Sequence, residues 1–166
     1  MRVVAADTCF LFHLHQVGRL SVLGQLDGFC FVIPGEVHEE FVRPESKALV
    51  AEALKEGWIT LDSIEGVDEL LLRKELIALR IGKGEAACLT LAVSRGWSVV
   101  SDDEERRFIR EAESRIGPER IISSPDVVLM AVRRGLIPVE EADRFPAVWE
   151  ANNYAVDFAS FTEMLG

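Results

Sequence analysis

Apolar and polar positions alternate in blocks along this chain, and the blocks switch period. Val3 to Ala6 is a short continuous apolar run ending at Asp7, the pattern of a strand buried on both faces. Thr8 to Val17 then places Phe10, Leu11, Leu14 and Val17 on one helical face, with Gly18 as its stop. Phe29 to Ile33 is aromatic and β-branched and predicts a second strand, closed by Pro34 and Gly35. Glu36 to Val42 reads as a helix with Val37 and Phe41 aligned. Pro44 breaks the chain, and Ser46 to Glu56 resumes a helix.

Trp58 to Leu61 predicts a third strand. Asp68 to Arg80 is an amphipathic helix, interrupted by Gly82-Lys83-Gly84. Glu85 to Ser94 is apolar almost all round, as buried helices are, and Arg95-Gly96 ends it. Trp97 to Val100 is a fourth strand followed at once by Ser101-Asp102-Asp103. Glu104 to Arg115 is a charged helix, Arg120 to Ile122 a short fifth strand, and Ser124-Pro125 opens a further helix. Helices over Val139 to about Trp149 and over Asp157 to Leu165 complete the chain. Strands alternating with helices predict a doubly wound α/β fold, a three-layer sandwich around a central parallel sheet. The 166 residues fit one domain, with a helical extension from about residue 124.

Right-handed crossovers place the carboxyl ends of all parallel strands along one sheet edge, where open α/β folds bind ligands. Asp7 ends the first strand and Asp102 follows the fourth. Glu85 sits in the first turn of a helix that starts at that edge, where the helix dipole favours a negative side chain. Glu40 lies about one turn into the helix after the second strand. Four carboxylates gathered there repel one another and raise each other's pKa. A hard divalent cation, Mg²⁺ or Mn²⁺, relieves this, and such a site suits phosphodiester hydrolysis by an activated water.

These segments resemble the PIN-domain family. Val4-Ala5-Ala6-Asp7-Thr8 looks like its opening strand, and Ile33-Pro34-Gly35-Glu36-Val37-His38-Glu39-Glu40-Phe41 like its second block. Gly82-Lys83-Gly84-Glu85-Ala86-Ala87 is similar to the third, and Val99-Val100-Ser101-Asp102-Asp103 with Arg107 to the fourth. The blocks fall in order over roughly residues 1–125. The resemblance implies Mg²⁺- or Mn²⁺-dependent RNA cleavage by Asp7, Glu40, Glu85 and Asp102, with Asp103 as a further ligand or a helix cap. Many short members of the family are VapC-type toxins, which implies a possible antitoxin partner, and related small proteins imply a homodimer. Glu36 and Glu39 compete with Glu40 for the second position; an acid followed by an apolar residue selects Glu40. Thr8 and Ser101 are placed to steady ligands or waters. Lys83 and Arg107 are candidates for phosphate contacts, and Arg106, Arg107 and Arg110 form either a solvated face or a backbone contact.

Composition alters the picture in three ways. The net charge of −10, from 28 acids and 18 bases, disfavours a simple phosphate-backbone binder and suits acids neutralised by metal or a basic partner. Cys9, Cys30 and Cys88 are scattered, which argues against a disulfide framework or a zinc site and for a reducing cytoplasm. No leader peptide or membrane span is read in the sequence. Gly82 to Ala87 also fits the dinucleotide fingerprint, but that motif requires a strand before it, and Leu70 to Ile81 is helical in pattern. An Asp-nucleophile phosphatase would need a second Asp two residues after Asp7, where Cys9 stands. His13, His15 and His38 read as ordinary packing or surface residues. The remaining rival is a PIN-like protein that binds RNA or regulates without cleaving.

Overall fold

The computed structural model describes residues 1–39, 43–102 and 106–166. Five strands form one parallel sheet: β1 (Arg2–Ala5), β2 (Phe29–Pro34), β3 (Thr60–Asp62), β4 (Ser98–Val100) and β5 (Ile121–Ile122), in spatial order β3-β2-β1-β4-β5. The chain winds outward from β1 to β3, then returns across the sheet to place β4 on the other side of β1. The order reverses between β1 and β4, so the carboxyl ends of those two strands flank the switch point.

Helices α1 (Thr8–Gln16), α2 (Gly35–Glu39), α3 (Pro44–Lys55), α4 (Gly66–Ala78), α5 (Lys83–Arg95) and α6 (Arg106–Ile116) connect the strands. Outward winding in opposite directions puts α1 and α6 on opposite faces of the sheet. Helix α5 lies against β1, β2 and β4, with α4 and α6 beside it. Its residues Ala86 to Ala92 are all buried, as the unbroken apolar pattern predicts. Gly96 ends α5 with φ of 72°, a left-handed turn that glycine adopts without strain. The other layer contains α1, packed with α7 (Ser124–Arg133) and α9 (Phe145–Ala151).

Several boundaries differ from the pattern reading. Pro44 opens α3 instead of breaking the chain; a first-turn proline forfeits only an N–H that has no helical partner. Leu20–Gly24 and Pro118–Arg120 are single 3₁₀ segments without apolar periodicity to announce them. The expected helix over Val139 to Trp149 is two, α8 (Val139–Ala142) and α9. The expected helix over Asp157 to Leu165 shrinks to α10 (Phe161–Leu165). Pro146 stands in the first turn of α9 and has no N–H with which to continue the α8 ladder. The Asp143 carboxylate leaves the helical run and accepts from the Phe161 and Thr162 backbone N–H groups at 2.7 and 3.0 Å and from the Thr162 hydroxyl. Together with the Ser160 cap, it fixes where α10 starts. Residues between α9 and α10 form an irregular segment of turns and bends.

Phe10 and Leu11 are buried with Leu14 in the central core, and Phe12 packs against that core. Exposed apolar side chains among the described residues include Leu61, Leu79 and Leu165 and, on α4, Val67, Leu70 and Leu71. The opposite side of α4 buries Glu69, whose two oxygens accept from Nη2 and Nε along one edge of the Arg95 guanidinium at 3.0 and 3.1 Å; Arg95 Nη1 also pairs with Asp62 at 2.8 Å. Among the described residues no helix is long and apolar enough to cross a membrane.

Candidate active site

Parallel register brings the two central acids together. Ala5 of β1 pairs with Val99 of β4. Asp7 is two residues beyond that line and Asp102 three beyond it, so both leave the same sheet edge side by side. Asp7 caps α1 and accepts from the Phe10 N–H at 3.3 Å. The next strands in the order cover it from both sides, and the Ala6 N–H is tied to the Val32 carbonyl at 2.9 Å. Burial pushes the Asp7 carboxyl up to about 6; the Phe10 N–H opposes the rise and the charge of Asp102 adds to it. The Cys9 thiol is pushed up to about 11, first by desolvation and next by Asp7, with Asp102 and Glu85 contributing further. One thiol therefore feels three of the predicted acids.

Asp102 is held by four donors. Its Oδ1 accepts from the Ser124 N–H at 2.6 Å and from the Tyr154 hydroxyl at 3.3 Å. Its Oδ2 accepts from the Ser124 hydroxyl and is 2.7 Å from His13 Nδ1. The His13 ring stacks on Tyr154, with centroids 3.9 Å apart and planes within 7°. Trp149 fixes this assembly from behind: its indole N–H donates to the His13 carbonyl at 2.9 Å, and its own carbonyl accepts from the Tyr154 N–H at 2.8 Å. His13, Ser124 and Tyr154 were missed by reasoning from the sequence. His13 is expected there as an ordinary packing or surface residue; instead it is a partner of the central acid. The available signal was its place on α1 five residues after Thr8, one turn and a half from the sheet edge, which single-sequence periodicity does not connect to Asp102.

Glu85 sits in the first turn of α5, half-buried, where the pattern places it. Thr8 bonds the Cys9 thiol, and the Ser101 hydroxyl is buried without a hydrogen-bond partner among the described residues. Lys83 and Arg107 are exposed. Arg107 shares a groove of about 410 Å³ with Leu79, Arg106, Arg110 and Glu111, and the three arginines form no ion pair among the described residues. Of the competing acids, Glu36 accepts from the Ile64 N–H at 3.3 Å and Glu39 is exposed. Glu40 and Asp103 lie outside the described residues.

Among the described residues no three His, Cys, Asp or Glu side chains converge closely enough to cage an ion. Mg²⁺ does not need such a cage; it is commonly held through one or two carboxylates with waters completing its shell. The donor set fits that requirement. It is all-oxygen, and Asp7 is an anion destabilised by burial whose charge a cation would offset. A cation can also displace the longest of the Asp102 contacts, that of Tyr154.

A family model described as PIN domain matches residues 3–144. No curated protein and no solved structure matches the chain.

Proposed function

Because the chain belongs to the PIN-domain family, whose members are generally nucleases, we propose that it is a metal-dependent endoribonuclease acting at Asp7 and Asp102. The observation that carries this reading is the pairing of those two acids at the switch point, close enough for the charge of Asp102 to raise the pKa of Asp7. Asp7, Asp102 and Glu85 would hold Mg²⁺ or Mn²⁺, with Glu40 and Asp103 as the other ligands that the family resemblance supplies. When bound, the cation supplies Lewis-acid stabilisation of the scissile phosphate and lowers the pKa of the attacking water.

The chain's own groups do the rest. Ser124 and His13 fix the orientation of the Asp102 carboxylate, as partners of ligating carboxylates commonly do. Asp7 is locked by its capping bond to α1. The exposed Arg106, Arg107 and Arg110 begin four residues after Asp102, within about 14 Å of extended chain, and offer cationic contact to flanking phosphates. That local cluster answers the objection raised by a net charge of −10. A toxin role with an antitoxin partner, a homodimer and a cytoplasmic location are consistent extensions of this reading.

The test is cleavage of a fluorescent RNA with Mn²⁺ by the parent, Asp7→Asn and Asp102→Asn. Each variant should remain folded and lose at least about two orders of magnitude in rate. Parent-like activity in both would overturn the assignment. The saturation of Asp102 by four donors favours one other reading, a PIN-like protein that binds RNA without cleaving it. In that case the parent itself would show no Mn²⁺-dependent cleavage and no cation-induced stabilisation.

A further inference from the structure

A cavity opens onto Asp102, walled in large part by the irregular segment between α9 and α10. Its volume is about 310 Å³, at the lower end of the roughly 300–1,000 Å³ typical of small-ligand clefts. Its apolar wall is Pro125, Val156, Phe158 and Met164. Its polar lining includes the acids Asp102, Asp126 and Asp157, with Ser123 and Tyr154. None of the residues lining it is cationic. Phosphate is therefore a poor occupant, whereas a flat group with apolar faces and hydrogen-bond donors on its edge fits. The segment that forms it lies beyond residue 144, outside the part of the chain matched to the family.

Resting on the nuclease reading, we propose that this cavity takes an unstacked nucleobase of the substrate, next to the scissile phosphate, and selects for an exocyclic amino group. Single-stranded RNA is recognised largely through splayed-out bases that rest on apolar or aromatic side chains and hydrogen-bond along their edges. Carboxylates are acceptors only, and an acid reading cytosine accepts from its 4-amino group. Uracil places a carbonyl at the same position and meets Asp157 with a repulsive oxygen. Asp126 holds a fixed orientation because its Oδ2 accepts from the Ser123 N–H at 2.9 Å in the capping box of α7. Asp157 is exposed and can turn to the base edge. The wall is rigid where it meets the site: Tyr154 is clamped between His13 and Trp149, and Phe158 packs edge-on to Phe161 with centroids 5.0 Å apart.

Tyr154 is the sole tyrosine of the chain, so 3-fluorotyrosine labelling gives one ¹⁹F resonance at the cavity wall. The labelled full chain, without metal, is titrated to millimolar concentration with cytidine 5′-monophosphate, uridine 5′-monophosphate and ribose 5-phosphate. Cytidine monophosphate should shift the resonance with at least about tenfold tighter binding than the uridine compound, and ribose 5-phosphate should leave it in place. Asp157→Asn should reduce the preference below about threefold, and Ala155→Trp, from an exposed position on the rim, should abolish the shift. Equal responses to both nucleotides, a response to ribose 5-phosphate alone, or no response to any would overturn the proposal. The readout needs no cleavage, so the two readings fail separately. Base-selective binding in a protein that cuts no RNA would sink the nuclease assignment, and cleavage without base selectivity would sink the cavity.

Discussion

His13 Nδ1 stands 2.7 Å from Asp102 Oδ2 while its ring lies flat on Tyr154, 3.9 Å between centroids. One side chain thus does two separable things, bonding the acid and packing the wall. His13→Phe keeps the stack and removes the bond; His13→Ala removes both. His13→Phe should weaken Mn²⁺ binding or cleavage by about 10- to 100-fold, as loss of a partner to a ligand typically does, with little change in melting temperature. His13→Ala should add a stability loss of about 1–2 kcal/mol from the lost aromatic contact and the space it leaves. Calorimetric Mn²⁺ titration and thermal melts separate the two; identical behaviour of both variants would show that the bond carries nothing.

Asp7 should make the metal-free protein less stable as pH rises. Its folded-state pKa is raised to about 6 from 3.8, so between those values the folded chain keeps a proton that the unfolded chain releases. Stability then falls across that window by an amount of order 3 kcal/mol and stays lower above it. Asp7→Asn preserves the helix cap and removes the charge. It should therefore be more stable than the parent at pH 8 and equal or less stable at pH 3.5, measured by urea unfolding with chelator present. A variant destabilised at pH 8 would contradict the burial of an anion there.

Glu69 should act in the opposite sense at lower pH. Its bonds to Arg95 hold it at about 2, well below its ordinary 4.5. The stability it contributes is complete above pH 4.5 and is lost as pH falls toward 2. Glu69→Gln should cost about 1.5–3 kcal/mol at pH 7, the range for a charged hydrogen bond, and much less at pH 2.5. A cost that does not shrink in acid would assign the effect to packing alone.

Glu85→Gln should blunt the rise in melting temperature that Mn²⁺ gives the parent, and Glu56→Gln, at the exposed end of α3, should not. At about 100 times the dissociation constant the parent gains roughly 2.7 kcal/mol by linkage. An equal rise in all three proteins would remove Glu85 from the ligand set.

The central architecture was legible because it is written in local pattern. Val4-Ala5-Ala6 and Val99-Val100 are apolar runs too short for helices; Asp7 follows the first directly and Asp102 follows the second after Ser101. Parallel topology then fixes those acids on one edge without further information. What the pattern does not contain is contact across long separations. Ser124 and Tyr154 meet Asp102 from 22 and 52 residues away. Ser124 reads locally as the start of a helix, and Tyr154 as a lone aromatic in a polar stretch. The start of α10 was equally hidden, since Asp143 looks like a solvated helix residue until its carboxylate is seen capping that helix.

The bond from Tyr154 to Asp102 also sets an order of events during synthesis. Synthesis delivers the chain from the amino terminus, and the sheet needs nothing beyond Ile122. Tyr154 follows Asp102 by 52 residues. When the last strand is made, the Trp149 indole that anchors His13 and the Tyr154 hydroxyl that tops Asp102 are still 27 and 32 residues from being translated. The surroundings of the acid are therefore completed by residues synthesised after every strand of the sheet.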